Sequence, residues 1–218
     1  MLRLDSAYLE IMPESKPTRN RKPTHRGPRD ERGVIAARIL SVARASFAAR
    51  GYAGTSLRSV GRDADVDPAL VTYYFRDKAG LLDAALVPPP DWTEAIAGAA
   101  ATPIRARGAA LVGTLVEAWQ QPATGEFLRS AILTAAHEPV ALQRLAANFA
   151  VHILDAVSSR LDDEERALRA SLASTQMVGL AMIRYVWKVG AVSVLSDEQV
   201  VQLVGPTVQR YLSGRLPT

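Results

Sequence analysis

The sequence predicts an all-α protein, and three observations support this prediction. Ala and Leu dominate the apolar residues, which make up 48% of the chain, whereas aromatic residues make up only 6%. Ala and Leu lose little rotamer freedom in a helix. Apolar residues recur at steps of three and four, as on one face of a helix, and no alternating pattern is long enough for a useful strand. The 218 residues allow a small N-terminal domain attached to a larger one.

The first predicted domain, residues 33–87, contains four short helices. Each has a cap signal, which is glycine after the first helix and Ser, Thr or Asp before the others. The prolines at 88–90 end or interrupt the last helix. The four are Val34–Arg50, a helix capped by Thr55 and Ser56 that ends near Asp63, a helix from Pro68 to Tyr74 behind the cap Asp67, and Lys78–Leu86.

The two middle helices are separated by the tight turn Ala64-Asp65-Val66. Ala64 is small enough for two crossing helices to approach closely, and Val66 can fill their junction. A helix-turn-helix requires this arrangement, in which the second short helix is free to enter the major groove of DNA. The sequence therefore predicts that residues 33–87 form a DNA-binding head.

The head resembles the TetR family of transcriptional regulators in the order and spacing of its residues. The resemblance implies a second, helical domain that dimerises and holds an inducer. The remainder of the chain fits the family only in being helical and of suitable length. The matching residues are Ala43, Phe47, Gly51, Tyr52, Thr55, Ser56, Val60, Ala64, Val66, Tyr73, Tyr74, Phe75, Lys78, Leu81 and Leu82.

Two positions in the head depart from the usual family pattern. Asp65 stands where the family usually has glycine. Asp tolerates a left-handed backbone conformation better than most residues, so we expect the turn to form and the added negative charge to weaken DNA affinity. Pro68 stands where the family has Arg or Lys in the recognition helix, a variant that is also familiar in the family.

Nine residues are predicted to contact DNA. Hydroxyls, backbone N–H groups and a cation at the start of the second helix suit a phosphate, and small side chains on the third helix can touch bases. The resemblance implies backbone contacts for two tyrosines and a lysine. The nine are Thr55, Ser56, Arg58, Ala69, Leu70, Thr72, Tyr73, Tyr74 and Lys78. For Leu70 and Tyr74, packing in the core of the head is the alternative.

Positive charge is concentrated near the N-terminus. From Lys16 to Arg50, ten Lys or Arg stand against two acids, although the whole chain has a net charge of only +4. Residues 1–32 are predicted to be a disordered basic arm that binds DNA without sequence preference, with a solvated tail as the alternative. Met12 is an alternative start to Met1, since MPES opens a polar tail.

The second predicted domain, residues 91–218, is helical and dimerises according to the resemblance. Its last helix carries a wide apolar stripe that includes Leu203 and Leu212. The last two helices of each subunit are expected to pack as a four-helix interface, and the alternative is that the stripe belongs to the core of one chain. The predicted helices are Asp91–Ala100, Ile104–Gln120, Pro122–Ala136, Pro139–Leu161, Glu164–Val189 and Asp197–Ser213.

A ligand pocket is predicted among the central helices of this domain. Met and aromatic side chains suit apolar ligands because they adapt in shape and bury large areas. At helical spacing each of them is also an ordinary core residue. The candidates are Trp119, Phe127, Leu128, Ile132, Phe149, His152, Met177 and Met182. His152 and Asp155 lie on adjacent turns, but two potential ligands without a third favour an ordinary histidine, so no metal site and no cofactor is predicted.

Several function classes are excluded or disfavoured. The chain has no cysteine, which excludes disulfides, thiol catalysis and cysteine-ligated metals. It contains no Gly-rich phosphate loop, no GxSxG and no HExxH, so an enzyme is not predicted. No apolar run approaches the ~20 residues of a membrane span, and the N-terminus lacks a signal-peptide pattern, so a cytoplasmic location without a membrane partner is expected.

These observations predict a homodimeric repressor. It would bind a palindromic operator in double-stranded DNA and release it when a small, largely apolar inducer enters the second domain. In the alternative, the chain is a ligand-independent regulator or activator, and its second domain is a protein-interaction module. A helical enzyme with an incidental helix-turn-helix fits less well, because no set of acid, base and nucleophile is visible.

Overall fold

The computed structural model describes residues 28–161 and 164–216. This part of the chain is helical and contains no strand, as predicted. Residues 1–27 of the predicted arm lie outside the described part. Helix α1, Pro28–Arg50, begins upstream of the predicted Val34, so the backbone of the last residues assigned to the arm is helical.

The head contains three further helices, and each begins at a side-chain cap. In α2, Leu57–Asp63, Ser56 and Ser59 form a reciprocal capping box. In α3, Pro68–Phe75, the Asp67 carboxylate accepts a hydrogen bond from the N–H of Ala69 at 2.7 Å. In α4, Lys78–Ala85, Asp77 accepts one from the N–H of Gly80 at 2.8 Å. These caps satisfy N–H groups that the helix itself leaves free, which is why the sequence predicted all three starts closely.

Helices α2 and α3 approach most tightly at Gly61. A Cβ atom there would lie 3.1 Å from the Cα of Pro68, so a larger residue would push the two helices apart. The predicted close-approach residue, Ala64, is buried nearby, and Asp65 has a φ of 52°. Asp65 therefore has the left-handed backbone conformation predicted from the sequence. The close contact between α2 and α3 lies one helical turn earlier, at Gly61.

The core of the head is formed by apolar side chains from all four helices. Phe47 of α1 is 1% exposed and is among its largest members. Burying such a side chain contributes roughly 1.5–3 kcal/mol. The core side chains of the head that are at most 1% exposed are Ile39, Ala43, Phe47, Val60, Val71, Leu81 and Leu82.

Within residues 90–161 and 164–216, the second domain contains six helices. The connections between them are short and include two 3-10 turns, at Ile104–Ala106 and Ala191–Val194. The helices are α5 (Pro90–Ala101), α6 (Arg107–Gln120), α7 (Pro122–His137), α8 (Pro139–Ser158), α9 (Arg166–Ala181, continued by Met182–Trp187) and α10 (Asp197–Ser213). All six were predicted, with ends that differ by a few residues.

Two of these helices contain π-helical segments, which the sequence did not predict. Ala150–Leu154 interrupts α8, and Met182–Trp187 ends α9. A π-helical turn holds more residues than an α-helical turn, so it changes which side chains face the core beyond it. Such segments are frequent at functional sites, and both occur in helices that line the cavity described below.

Helix α10 packs closely on α6 of the same chain. A Cβ atom on Gly108 would lie 2.6 Å from the carbonyl oxygen of Gly205, so the two backbones nearly touch. Val200, Val208 and Leu212 of the predicted apolar stripe are buried here. Leu203 on the same helix remains 64% exposed. The stripe therefore divides into a part that belongs to the core of one chain and a part that faces outward.

Helix α8 has the length and composition of a membrane span, although the sequence analysis expected no such segment. Its Ile153 and Val157 are buried within the domain, and its Arg144 forms an ion pair with Asp83 of α4. Only 17% of this stretch is buried, and one helix identified by length and composition alone is weak evidence for a membrane span.

Candidate DNA-binding surface and ligand cavity

The outer face of α3 presents three of the predicted DNA contacts. Ala69, Thr72 and Tyr73 are all exposed, and Tyr73 is the most exposed aromatic residue of the head at 70%. Their spacing of three and four residues places them on one side of the helix. Leu70 is half-buried. The structure thus brings together a small, largely uncharged surface that can enter a groove.

Tyr74 faces away from this surface more than Tyr73 does. It is half-buried against the core of the head, and its ring lies 6.1 Å from that of Phe75. It also meets the ring of Tyr73 edge-on at 5.4 Å. Tyr74 can therefore orient Tyr73, and its core packing agrees with the alternative given for it from the sequence.

Thr55 does not have the exposed position that a phosphate contact requires. Its side chain is 1% exposed, and its hydroxyl donates a hydrogen bond to the carbonyl oxygen of Gly51 at 2.9 Å. The structure therefore does not support a phosphate contact by this side chain, since it is buried and its hydroxyl is already bonded to the backbone. Ser56 and Arg58, the other predicted contacts at this end of α2, are exposed.

Lys78 connects the start of α4 to the loop after α1. Its Nζ lies 4.2 Å from the ring centroid of Tyr52 and 3.4 Å from the carbonyl oxygen of Ala53. The Tyr52 ring in turn stacks on Phe47 at 6.1 Å. A cation held over an aromatic ring keeps its charge, and an ammonium has three donors, so Lys78 can brace the head and still meet a phosphate.

A cavity of about 260 Å³ lies among the central helices of the second domain. Six of the eight predicted residues line it, namely Trp119, Phe127, Leu128, Ile132, Phe149 and Met177. His152 and Met182 do not, and each of them lies in a π-helical segment. The structure does not support these two residues as lining residues, since their neighbours Ile153 and Ala181 line the cavity instead.

Other lining residues were missed by sequence reasoning. Several lie on α8 at spacings of three and four residues, which is a signal that could have identified them. Trp92 of α5 shares a helical spacing with the buried Ile96 and Ala99, and its ring lies 6.3 Å from that of Phe127. The additional residues are Pro88, Trp92, Leu115, Ala131, Leu142, Leu145, Ala146, Ile153, Val178 and Ala181.

The wall of the cavity is apolar. No charged side chain lines it, and its only side-chain polar groups are the indole N–H groups of Trp92 and Trp119. Within the described residues, neither indole nitrogen has a hydrogen-bond partner, and both are buried. The Trp119 ring stacks on Tyr185 with centroids 4.8 Å apart, which fixes its plane. Such a wall favours uncharged ligands, since a buried charge without a partner is strongly unfavourable.

Two family models match the chain over the regions just described. "Bacterial regulatory proteins, tetR family" matches residues 39–85, and "Tetracyclin repressor-like, C-terminal domain" matches residues 106–212. A solved TetR-family regulator from Streptomyces coelicolor A3 is 30% identical. The alignment covers 87% of this chain and 99% of that one, with a TM-score of 0.64.

The chain belongs to the TetR family. It is therefore a transcriptional regulator with a helix-turn-helix DNA-binding domain and a C-terminal ligand-binding domain, as the resemblance implied. The members of this family are DNA-binding transcription factors and not enzymes. In the described part of the chain, no group of three His, Asp or Glu side chains could hold a metal ion.

Two further comparisons are more limited. A probable HTH-type transcriptional regulator of Bacillus subtilis, YttP, is 39% identical over 46 residues, which span 21% of this chain and 22% of that protein. A solved complex of SmeT with triclosan is 15% identical, covers 85% of this chain and 99% of that one, and has a TM-score of 0.61. At this identity the similarity establishes the TetR fold alone.

In this TetR-family chain, polar contacts join the end of α4 to helices that line the cavity. The Nδ2 of Asn148 in α8 donates to the carbonyl oxygen of Leu86 at 2.9 Å. The neighbouring residue, Phe149, lines the cavity. Arg144, also on α8, pairs with Asp83 on α4. The helix that follows the recognition helix is thus held by residues adjacent to the cavity wall.

A second group of contacts joins the start of the head to the second domain. The backbone N–H of Tyr52 donates to the Glu138 carboxylate at 3.0 Å. The hydroxyl of Ser41 in α1 donates to the Glu126 carboxylate at 2.8 Å. Glu126 immediately precedes Phe127 of the cavity wall. A change in the position of α7 would therefore reach α1 and the loop that follows it.

Proposed function

We propose that this TetR-family regulator is a homodimeric repressor that is released from a palindromic operator by a small apolar ligand. The observation that carries the proposal is the apolar cavity, whose wall residues adjoin the residues that hold the end of α4. A ligand that favours one shape of the cavity shifts the head between two positions, provided that it binds the two shapes with different affinity.

On the DNA side, we assign the contacts by exposure and chemistry. Tyr73 and Lys78 contact the phosphate backbone, as do Ser56 and Arg58 at the start of α2. Ala69 and Thr72 can pack on thymine methyl groups, and Leu70 lies at the edge of this surface. A surface with few hydrogen-bonding groups reads bases weakly, so dimer geometry and backbone contacts supply much of the selectivity. The proposed site of action is the bacterial cytoplasm.

The dimer is proposed to form through α9 and α10. Leu203 faces outward from α10, and Trp187 and Val194 near the end of α9 are also exposed, by 60% and 84%. Large apolar side chains in such positions favour burial against a second copy. The dimer must place its two α3 helices about 34 Å apart, or a multiple of this, to reach successive major grooves.

On the ligand side, the cavity favours an uncharged compound rich in aromatic or aliphatic carbon. Its volume of about 260 Å³ suits a small molecule of one or a few rings. Triclosan, with which the structural neighbour SmeT was solved, is a sensible first probe of this kind. The proposal does not require that triclosan itself be the natural ligand.

The tryptophans provide a direct test of ligand binding. The chain has three, and only Trp187 lies outside the cavity wall. In the variant Trp187→Phe, fluorescence therefore reports from Trp92 and Trp119 alone. We expect triclosan or another neutral aryl compound to change this fluorescence in a saturable manner. The matched control adds Ala131→Phe, which places a ring in the cavity and should abolish the change.

The outcomes of this test separate the two domains. If no neutral compound gives a saturable change, or if the Ala131→Phe variant responds equally, the cavity is not the ligand site.

DNA binding is tested separately by selecting duplexes from a random library with the full-length protein. We expect selected sequences to contain two inverted half-sites. Replacing Tyr73 by Ala should weaken binding to every duplex, and unchanged affinity would refute its assigned role.

A second candidate function has one observation in its favour. Val140 and Val151 of α8 are 50% and 66% exposed and lie about three helical turns apart on a similar side of the helix. Such a face suits a partner protein, as expected for a ligand-independent regulator or an activator. The cavity supports the first candidate instead, since an interaction module has no need of it. DNA binding that is indifferent to every cavity ligand would favour the second candidate.

A further inference from the structure

We propose that Arg76 contacts a DNA phosphate at the end of the recognition helix. No DNA contact was predicted for this residue from the sequence. It follows α3 directly, and its backbone N–H still donates to the carbonyl oxygen of Thr72 at 2.8 Å. This hydrogen bond places Arg76 at the end of the last helical turn, although its own backbone has a φ of 63° and is not helical. Its side chain is exposed.

Arg76 lies at the C-terminal end of α3, the helix expected to enter the groove. Ala69, Thr72 and Tyr73 share one exposed face of this helix, and Arg76, the first residue after it, is exposed as well. Val71 on the opposite side is fully buried. Arg76 thus adds an exposed cation at the end of this helix.

Arg76 supplies a positive charge that α3 itself lacks. Helix α3 has the sequence PALVTYYF and contains no Lys or Arg. Arg76 is therefore the cation at the end of this helix. Among the described residues, no side chain pairs with its guanidinium. The two nearest carboxylates in sequence are already used as helix caps, since Asp67 accepts from Ala69 and Asp77 accepts from Gly80.

The backbone at Arg76 is strained, which is a separate observation. Its φ is 63° and its ψ is −61°, and the N–H of Asp77 donates to the carbonyl oxygen of Phe75 at 2.7 Å. These values describe a tight three-residue turn that is rare for residues with a side chain. Backbone strain of this kind clusters at functional sites, where it is offset by what the side chain does.

The contact is assigned to phosphate because of its position in the helix. The N-terminal residues of a recognition helix meet base edges, whereas its C-terminal end lies towards the rim of the groove and the sugar-phosphate backbone. A guanidinium can donate two parallel hydrogen bonds to one phosphate. Such a contact strengthens binding to all sequences and adds to the salt dependence of affinity.

Three substitutions test the assignment on a fluorescein-labelled, mixed-sequence duplex titrated with the full-length protein. Arg76→Ala should weaken binding about fivefold at constant salt, and the slope of log K against log salt should fall by about one. Arg76→Lys keeps the charge and should remain close to wild type in both quantities. Arg105→Ala, which removes an exposed arginine from the second domain, is the control and should change neither.

Arg76→Gly separates the DNA contact from a structural role. Glycine adopts positive φ without strain, so this variant should melt at a higher temperature than wild type while binding DNA as weakly as Arg76→Ala. A side chain that only supports the fold could not give this combination. If Arg76→Ala binds with the affinity and salt slope of wild type, or if both variants match the Arg105→Ala control, the proposal is overturned.

Discussion

The guanidinium of Arg44 lies over the ring of Phe127, with its Cζ 5.0 Å from the ring centroid. Its Nε also donates a hydrogen bond to the carbonyl oxygen of Ala85 at 3.1 Å. Phe127 is part of the cavity wall, and Ala85 is the last residue of α4. One side chain of α1 therefore contacts both the ligand-binding domain and the helix that follows the recognition helix.

The environment of Arg44 shows how tightly it is held. Burial lowers the pKa of its guanidinium, and the nearby Glu126 carboxylate acts in the opposite direction. An arginine nevertheless stays charged in proteins, so the cation keeps its attraction to the Phe127 ring and to the carbonyl groups at the end of α4.

The first prediction concerns this contact. Arg44→Met keeps most of the apolar stem but removes the charge, so the carbonyl of Ala85 loses its donor. We expect the free energy of unfolding to fall by roughly 1.5–3 kcal/mol, measured with urea. Arg38→Met on the exposed side of the same helix is the control and should have a much smaller effect. Equal effects of the two substitutions would show that Arg44 has no special role.

The second prediction concerns Asp65 in the turn between α2 and α3. Its φ of 52° strains any residue with a Cβ atom. Asp65→Gly should therefore raise stability by about 0.5–1 kcal/mol, whereas Asp65→Ala should lower it. Both changes remove the same charge, so both should strengthen DNA binding slightly. Thermal melting distinguishes the two, and a turn that tolerated Ala as well as Gly would contradict the assigned strain.

The third prediction is a pH dependence from Asp63. Hydrogen bonds from Arg50 and Arg62 lower the pKa of its carboxyl below the ordinary 3.8, and Arg50 lies 3.1 Å away. A lowered pKa contributes stability above the unfolded-state value that is lost as the pH falls through the folded-state value. Wild type should thus be more stable than Asp63→Asn at neutral pH, and the difference should disappear well below pH 3.8.

The urea midpoints of wild type and Asp63→Asn, measured from neutral pH to below pH 3.8, test the sign of this pH dependence. The partner substitution Arg50→Met provides the matched background, because it removes the largest cause of the lowered pKa. In that background the effect of Asp63→Asn should be smaller at neutral pH and flatter with pH. If the stability difference between wild type and Asp63→Asn grew as the pH fell, the lowered pKa assigned to Asp63 would be contradicted.

The fourth prediction concerns the contact between α6 and α10. A Cβ atom on Gly108 would lie 2.6 Å from the carbonyl oxygen of Gly205 and from the backbone nitrogen of Gln209. Gly108→Ala should force the helices apart and lower stability by about 1–3 kcal/mol. Gly98 in α5 is an exposed helical glycine with nothing near its Cβ position. Gly98→Ala should instead raise stability by roughly 0.5–1 kcal/mol, so opposite signs are expected.

Local signals in the sequence predicted most of the fold. Side chains such as Asp67 and Asp77 cap the helix that follows them, so their meaning does not depend on the rest of the molecule. Phe47 and Val60, which were matched to the TetR family from the sequence, are both buried in the core of the head. The start of α1 was placed too late because the residues before Val34 have few apolar side chains, and a helix can continue without them.

The functional surfaces were harder to predict where tertiary contacts decide them. Thr55 has the residue type of a phosphate contact, but the fold of the loop after Gly51 buries it. Trp92 lines the cavity because its ring lies near that of Phe127 in α7, and the apolar spacing within α5 does not identify this distant partner. His152 and Met182 are next to the lining residues Ile153 and Ala181, so the helical repeat did not separate a residue that faces the cavity from its neighbour.

Which side of α10 faces outward is also decided by contacts between segments that are far apart in the sequence. Its apolar stripe allowed either a dimer interface or a core, and the structure places Val200 and Val208 in the core while Leu203 remains exposed. The two glycines that let α6 and α10 approach lie about a hundred residues apart in sequence, so no local pattern connects them.

The most direct test of the proposed function is the affinity for a selected duplex with the cavity empty and with it occupied. Occupancy is followed on the same protein through Trp92 and Trp119 in the Trp187→Phe variant. We predict that the dissociation constant for the duplex rises by about tenfold or more on occupancy, and that the Ala131→Phe variant binds the duplex but does not respond. A cavity that fills to saturation while the affinity for the duplex stays the same would contradict ligand-induced release.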